Sequence, residues 1–288
     1  MRKKSSVTLG LIQMACGEEP RANLSKALDK IKELADRGAE IIALPELFLS
    51  RYFCQEENKK FFDLAESIPG PSTEVLSKVA AEKKVVLIAS LFEKKDQTYY
   101  NSAVVLDADG TVKGLYRKTH IPDDLKNYYG EKFYFTPGDL GFKSFETRYA
   151  KIGVGVCWDQ WFPEGARLMA LEGAEIIFYP TAIGRQVKGV PDSLNEKERN
   201  AWITIQKSHA IANGLFVASV NRVGLEDHLD FWGSSFVADP MGEVIASAGD
   251  RKEESLLVSC DLAEIDAVRQ DWPFVTARRK EAYSKLVR

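Results

Sequence analysis

The sequence predicts an α/β fold, a four-layer α-β-β-α sandwich with an internal pseudo-two-fold repeat. Three segments recur in the same order about 130 to 135 residues further along the chain, which indicates duplication: 38–42 as 173–177, 85–90 as 215–220, and 105–112 as 237–244. Strands and helices are predicted in the same order in both halves. Each half would cover one face of its sheet with helices, so we expect the two bare sheet faces to pack together in a single domain.

The first half shows the periodicity of each element. Its apolar runs and amphipathic stretches predict strand 6–14, helix 21–37, strand 40–44, helix 72–84 and strands 85–92, 99–107 and 111–117. The apolar residues of the first helix lie on one stripe, and Gly38 follows where a left-handed residue would end it. Asp109-Gly110 predicts the turn between the last two strands.

The second half repeats this order. It contains predicted strand 151–157, helix 163–172, strand 175–180, helix 197–213 and strands near 215–222, 231–238 and 243–248, with a turn at Met241-Gly242. A helix at 262–270 and the run Trp272-Pro273-Phe274 lie beyond the repeat. We therefore expect one domain over 1–261 and a C-terminal tail, 262–288, that is a candidate subunit-interface element.

Composition excludes several classes of protein. The 288 residues carry 39 basic and 42 acidic side chains, a net charge of −3, so no positive field favours nucleic acid as a partner. The histidines and cysteines lack the spacings of a metal site, and no apolar run is long enough to span a membrane. The apolar start is interpreted as a buried strand rather than a signal. Few cysteines beside a large core favour a reducing compartment, so we expect a cytoplasmic protein.

Side chains that can do chemistry follow three of the predicted strands. Glu46, Lys118 and Cys157 each stand where a strand ends. Because functional groups collect beyond the carboxyl ends of strands in α/β proteins, these three residues are candidates for one site. The other cysteines are interpreted as small buried hydrophobic residues: Cys16, Cys54 and Cys260.

A nucleophilic cysteine needs a base or a positive neighbour, because the thiolate is the attacking species. One interpretation pairs Cys157 with His209 or His120, as in a cysteine protease, although no local signature of those enzymes is present. The other interpretation uses Glu46 as the base and Lys118 as the cation.

Motifs around these residues resemble the nitrilase superfamily of carbon–nitrogen hydrolases. The matching runs stand in the superfamily's order: ALPELF at 43–48, YRKTH at 116–120 and GVCWD at 155–159. Longer runs are similar to the N-carbamoylputrescine amidohydrolase branch: HIPD at 120–123, EKFYF at 131–135, CWDQWFPE at 157–164 and YPTAIG at 179–184. The resemblance runs from about residue 7 to about residue 261 and implies the same four-layer sandwich.

The resemblance also implies an activity, the hydrolysis of N-carbamoylputrescine to putrescine, carbon dioxide and ammonia. Cys157 would attack the ureido carbonyl with Glu46 as general base, forming a carbamoyl-enzyme. Lys118 and the backbone N–H of Trp158 would bind the developing oxyanion. A second glutamate of the family matches Glu131, which would orient Lys118 or the substrate amide. No metal or organic cofactor is implied, and family members associate as homo-oligomers.

Substrate specificity rests on other residues. The distal ammonium of a carbamoyl-diamine requires an acceptor at the far end of its site, for which Asp123, Asp124 and Asp159 are candidates. Where the branch has an acid after YPTAIG, this chain has the basic residues Arg185 and Lys188 nearby. An alternative substrate is therefore another N-carbamoyl compound such as N-carbamoyl-β-alanine, or an aliphatic amide. A non-catalytic scaffold subunit is a further alternative, which the intact glutamate, lysine and cysteine argue against.

Overall fold

The computed structural model describes residues 5–287. The first half contains β1 (Ser6–Gln13), α1 (Pro20–Asp36), β2 (Ile41–Ala43), α2 (Pro71–Lys83), β3 (Val86–Lys95), β4 (Thr98–Leu106), β5 (Val112–Arg117) and β6 (Ser144–Glu146). The second half contains β7 (Lys151–Val154), α3 (Pro163–Leu171), β8 (Ile176–Thr181), β9 (Gly184–Gln186), α4 (Asp192–Asn213), β10 (Phe216–Asn221), β11 (Val223–Glu226), β12 (Leu229–Trp232), β13 (Phe236–Ala238), β14 (Val244–Ser247), β15 (Glu254–Asp261) and α5 (Ala263–Asp271). Short 3-10 helices lie at Phe53–Gln55, Lys59–Leu64, Leu125–Asn127, Glu131–Phe133, Cys157–Trp161 and Lys280–Val287.

Within residues 5–287, two six-stranded sheets form the centre of the molecule. Their strand orders are β15-β1-β2-β3-β4-β5 and β6-β7-β8-β10-β13-β14. In each sheet three neighbouring strands run parallel, namely β1-β2-β3 and β7-β8-β10. One antiparallel strand flanks them on one side and an antiparallel hairpin on the other. The shared topology confirms the repeat that the recurring segments predicted.

The two halves exchange their last strands. β6 follows the hairpin β4-β5 along the chain but pairs with β7 of the second half. β15 follows the second half but pairs with β1 along the whole of that strand. Each sheet therefore contains a strand from the other half, which interlocks the halves. The sequence did not predict β6 or β15.

The side chains divide into three apolar layers between four layers of structure. Leu9 of the first sheet and Phe178 of the second belong to one buried cluster between the sheets. Ile31 of α1 packs outside the first sheet, and Trp202 of α4 packs outside the second. Ile265 of α5 joins the cluster between the sheets, which anchors the start of the tail. The predicted four-layer sandwich is confirmed.

Several predicted boundaries move. β7 ends at Val154, before Cys157, because the chain turns there into a 3-10 helix. α4 begins at Asp192, earlier than predicted, and the predicted strand 231–238 is divided into β12 and β13. The turn glycines Gly38, Gly110 and Gly242 have positive φ, as their positions required. Among residues 5–287, no helix has the length and apolar character needed to cross a membrane.

Candidate active site

Three charged residues that are far apart in sequence meet in the interior. Lys118 Nζ lies 2.9 Å from Glu46 Oε1 and 2.6 Å from Glu131 Oε2. All three side chains have no exposed surface. Glu46 follows β2, Lys118 follows β5 and Glu131 begins a 3-10 helix, so the parallel core and the hairpin of the first sheet bring them together. Buried charges require partners of this kind, and here each has one.

Glu46 is held by one of its two oxygens. Oε1 accepts hydrogen bonds from Lys118 Nζ and from Asn101 Nδ2 at 2.7 Å. Oε2 is buried and has no hydrogen-bond partner within residues 5–287. The backbone after Glu46 is fixed as well, since Leu47 has a φ of +49° and its N–H donates to Ser90 Oγ at 3.1 Å. The carboxylate is therefore oriented with one oxygen available to another group.

Asn101 is a site residue that was not predicted from the sequence. It lies on β4 with no exposed surface, and it orients Glu46 as described above. An asparagine within the predicted strand 99–107 was the available signal, because buried amides need partners. The sequence did not indicate which partner it had.

The charged groups of the cluster shift one another's pKa values. Burial would lower the pKa of Lys118, but the charges of Glu131 and Glu46 outweigh burial and raise the pKa well above its usual range. Burial raises the pKa of Glu131 to about 7, against the lowering effect of the Lys118 charge. Tyr52 supports the ionised form of Glu131 by donating its hydroxyl to Oε1 at 2.7 Å. Lys118 thus stays an ammonium, and Glu131 gains a proton close to neutral pH.

Cys157 stands at a strained turn beside this cluster. Its φ is +44°, which is uncommon for a residue with a side chain, and it begins the 3-10 helix Cys157–Trp161. Burial raises the pKa of the thiol well above its usual range, the Glu46 charge adds to this, and the Lys118 charge opposes it. The thiol is therefore protonated in the resting site, and a nucleophilic role requires a base next to it.

Asp159 stabilises the turn through both of its carboxylate oxygens. Its Oδ2 accepts from the backbone N–H of Val156 at 3.0 Å and from the Tyr116 hydroxyl at 2.7 Å. Its Oδ1 accepts from the backbone N–H of His120 at 3.0 Å and lies 2.8 Å from His120 Nδ1. Both oxygens are occupied and the residue is only 1% exposed. The expectation that Asp159 anchors substrate is therefore wrong, because its carboxylate is consumed in holding the loop that carries Cys157.

The two histidines considered as partners of Cys157, His120 and His209, contact other residues. His209 lies on α4, is 2% exposed, and its Nε2 lies 2.7 Å from Gln160 O. His120 bonds Asp159 and stacks on Phe162 with ring centroids 3.6 Å apart. Neither ring hydrogen-bonds the Cys157 thiol, so the geometry of a cysteine protease is not formed. The other three cysteines are buried, as predicted: Cys16, Cys54 and Cys260.

A cavity of about 300 Å³ opens onto Cys157. Its lining includes Pro122, Asp124, Asn127, Tyr129, Glu131, Cys157, Trp158, Trp161, Ile183, Gly184, Gln186, Glu198 and Ala201. Trp158 and Asp124 were expected near the substrate and do border this space. Asp123 does not, since its carboxylate is exposed and pairs with Lys132 at 3.0 Å. Glu198 and Gln186 border the cavity without having been predicted.

The basic residues considered from the sequence lie outside this cavity. Arg185 Nε is 3.2 Å from Asp230 Oδ2 and borders a separate surface cavity, and Lys188 is exposed. Within residues 5–287, no group of three or more histidine, cysteine or acidic side chains is arranged to hold a metal ion.

A cysteine thiol next to a buried carboxylate–lysine–carboxylate cluster, on a four-layer α-β-β-α sandwich, defines a candidate hydrolase site that differs from the histidine-assisted site of a cysteine protease. The chain belongs to the carbon-nitrogen hydrolase family, whose sequence profile matches residues 8–270. It is a hydrolase of carbon–nitrogen bonds other than peptide bonds.

Individual relatives extend the similarity over nearly the full length. The N-carbamoylputrescine amidase of Solanum lycopersicum is 43% identical, over 99% of this chain and 96% of that protein. A citrullinase of Francisella tularensis is 42% identical, over 99% of both chains. The crystal structure of a carbon-nitrogen hydrolase from Helicobacter pylori G27 superposes with a TM-score of 0.94 at 43% identity, covering 98% of this chain and 99% of that one. Saccharomyces cerevisiae Nit3, at 26% identity, gives a TM-score of 0.81 over 96% and 98%.

Proposed function

We propose that this chain hydrolyses N-carbamoylputrescine to putrescine, carbon dioxide and ammonia, and so supplies putrescine for polyamine biosynthesis. The observation that carries the proposal is the charge of the cavity above Cys157. Its charged lining residues are all acidic: Asp124, Glu131 and Glu198. Such a cavity favours a substrate that ends in an ammonium group. The similarity to N-carbamoylputrescine amidases, 42 to 44% identical over nearly the whole chain, supports the same substrate.

The first half-reaction uses Glu46 as general base. Its Oε2 is the oxygen left free, so it takes the thiol proton while Cys157 Sγ forms a bond to the ureido carbon. The carbonyl electron pair moves to the oxygen. The tetrahedral intermediate collapses as the bond from carbon to the putrescine nitrogen breaks, and Glu46 returns the proton to that nitrogen. Putrescine leaves and a carbamoyl thioester remains on Cys157.

In the second half-reaction water is the nucleophile and the Cys157 thiolate is the leaving group. Glu46 takes a proton from a water molecule as the water oxygen bonds to the carbamoyl carbon. The carbon–sulfur bond then breaks, and the proton returns from Glu46 to the thiolate. The product is carbamate, which decomposes to carbon dioxide and ammonia.

Lys118 stabilises the negative oxygen in both steps. Its raised pKa keeps it an ammonium, and the backbone N–H of Trp158 is the second donor proposed for the oxyanion. Removing one such donor typically raises the barrier by about 2.7–4 kcal/mol. Glu131 holds Lys118 through two contacts, at 2.8 and 2.6 Å, and so positions the ammonium.

Two other N-carbamoyl compounds fit the cavity less well. N-carbamoyl-β-alanine carries a carboxylate, and the basic residues that would meet it, Arg185 and Lys188, stand outside the cavity. Citrulline carries a carboxylate together with its ammonium, and the same lack of a cation disfavours it. Both compounds belong in the test because a citrullinase is among the relatives.

The experiment is ammonia release from four compounds in parallel: N-carbamoylputrescine, citrulline, N-carbamoyl-β-alanine and an aliphatic amide. We expect the highest kcat/KM for N-carbamoylputrescine and no turnover by Cys157→Ala. A preference for N-carbamoyl-β-alanine would contradict the diamine and make Arg185 and Lys188 the residues to test next. Unchanged biological activity of Cys157→Ala in cells would instead favour a scaffold subunit.

We further propose a homo-oligomer. Large apolar side chains are exposed on α3 and on the tail, with Leu168 at 49%, Leu171 at 44%, Trp272 at 44% and Phe274 at 46%. Patches of this kind are typical of protein interfaces. Light scattering of the purified protein tests this, and a monomer would contradict it.

The proposal also covers the domain organisation and the cellular location of the chain. We assign residues 1–261 to one carbon–nitrogen hydrolase domain and residues 262–288 to a tail that is anchored through Ile265. A cytoplasmic location is supported by four cysteines that are all unpaired and buried.

A further inference from the structure

Glu198 stands in the cavity with a carboxylate that serves no other residue. It lies near the start of α4 and borders the cavity together with Ala201, one turn further along the same face of that helix. Among residues 5–287 it forms neither a hydrogen bond nor an ion pair, whereas Asp123 and Asp230 pair with Lys132 and Arg185. A free carboxylate that borders a substrate cavity is available to bind the substrate.

The other two acids that border the cavity each have a partner. Glu131 binds Lys118 and Tyr52. Asp124 uses Oδ2 to accept from Asn127 Nδ2 at 2.7 Å, which closes its own loop. Among the acids of this lining, Glu198 can therefore bind a cation without breaking an existing contact.

Glu198 and Cys157 border the same cavity as Tyr129. Burial is the main reason that the pKa of the Tyr129 hydroxyl is raised, and the Glu198 charge adds to the effect. Tyr129 borders the cavity and accepts a hydrogen bond from Gly184 N at 3.1 Å. The cavity thus extends from the thiol, past Tyr129, to Glu198.

The segment after YPTAIG carries no acid in this chain. Arg185 turns away to Asp230, and Gln186 borders the cavity with a neutral amide that donates to Asn127 Oδ1 at 2.9 Å. Neither side chain can neutralise an ammonium group. An acid from another element has to do so, and α4 presents Glu198.

We propose that Glu198 binds the distal ammonium of the carbamoyl-diamine and makes the enzyme selective for substrates with a positive end. This inference rests on the proposed function, because it assigns one end of that substrate. The carbamoyl group lies over Cys157, the methylene chain lies along the apolar part of the lining, and the ammonium forms a charge-assisted hydrogen bond with Glu198.

The test compares a charged substrate with a neutral one. N-carbamoylputrescine and N-butylurea share the ureido group and a chain of four carbons, but only the first carries an ammonium. Glu198→Gln removes the charge and keeps the size. Glu196→Gln is the matched control, since Glu196 lies on the same helix but borders a different cavity.

We expect Glu198→Gln to raise KM for N-carbamoylputrescine by about 10- to 100-fold, as loss of a charged hydrogen bond does, and to leave N-butylurea unchanged. Glu196→Gln should leave both unchanged. Equal kinetics of Glu198→Gln and wild type on the diamine would overturn the proposal, as would a parallel loss on both substrates. If wild type does not prefer the diamine over N-butylurea, the proposed function fails first and the role of Glu198 fails with it.

Discussion

Asp159 Oδ2 accepts a hydrogen bond from the backbone N–H of Val156 at 3.0 Å, and this bond fixes the residue directly before Cys157. Cys157 has a φ of +44°, a conformation that persists only when the surrounding structure holds it. Asp159 also binds Tyr116 and His120, so the turn is tied to the end of β5. The conformation of Cys157 therefore depends on a carboxylate that does not face the cavity.

Asp159→Asn tests this dependence. An amide presents an N–H to one of the donors that Asp159 now accepts from, so the turn loses at least one buried hydrogen bond. We expect kcat to fall about 10- to 100-fold with little change in KM, and the free energy of unfolding to fall by about 1–3 kcal/mol. Steady-state kinetics and thermal unfolding measure both. Asp123→Asn, at an exposed position, is the control and should change neither.

Cys157→Ala should abolish turnover while the free energy of unfolding stays within a few kcal/mol of wild type, since only one small buried side chain is shortened. Cys260→Ala is the matched control, because Cys260 is a buried cysteine on β15. It should retain full turnover. Residual hydrolysis by Cys157→Ala at a rate near wild type would remove the thiol from the mechanism.

The acid side of the pH profile should report Glu131. Its pKa is raised to about 7, so the carboxylate gains a proton as the pH falls through that value. Protonated Glu131 is no longer a charged partner of Lys118, so the ammonium proposed to bind the oxyanion is held less firmly. We expect kcat/KM to decrease as the pH falls through about 7. Glu131→Gln should give low activity without this limb; an unchanged limb in that variant would assign it to another group.

Tyr52→Phe should shift the same acid limb of the pH profile of kcat/KM. The Tyr52 hydroxyl donates to Glu131 Oε1 at 2.7 Å and favours the ionised carboxylate. Without it the pKa of Glu131 rises, so the decrease in kcat/KM should begin at higher pH than in wild type. Tyr134→Phe is the control, because the Tyr134 hydroxyl is also hydrogen-bonded, but it donates to Glu56 O and accepts from Asn58 N. A limb at the wild-type position in Tyr52→Phe would separate Tyr52 from the titrating group.

The sequence alone determined the fold class and the main catalytic candidates. Helical and strand periodicity, together with the recurring segments, predicted two similar halves packed sheet to sheet, and both are present. Glu46, Lys118 and Cys157 were identified from strand ends and motifs, and they do meet. These features are local or repeated, so short stretches of sequence are enough to predict them.

The remaining features depend on contacts between residues that are distant along the chain. The exchange of β6 and β15 between the halves depends on long-range pairing, which leaves no short pattern in the chain. The role of Asp159 and the exposure of Glu198 to the cavity depend on which side chains reach each carboxylate. Acidic residues look alike in a sequence, and whether one holds a loop or faces a substrate is set by neighbours that are distant along the chain. Chemistry could be predicted from the residue types, but the partner of each charge required the folded molecule.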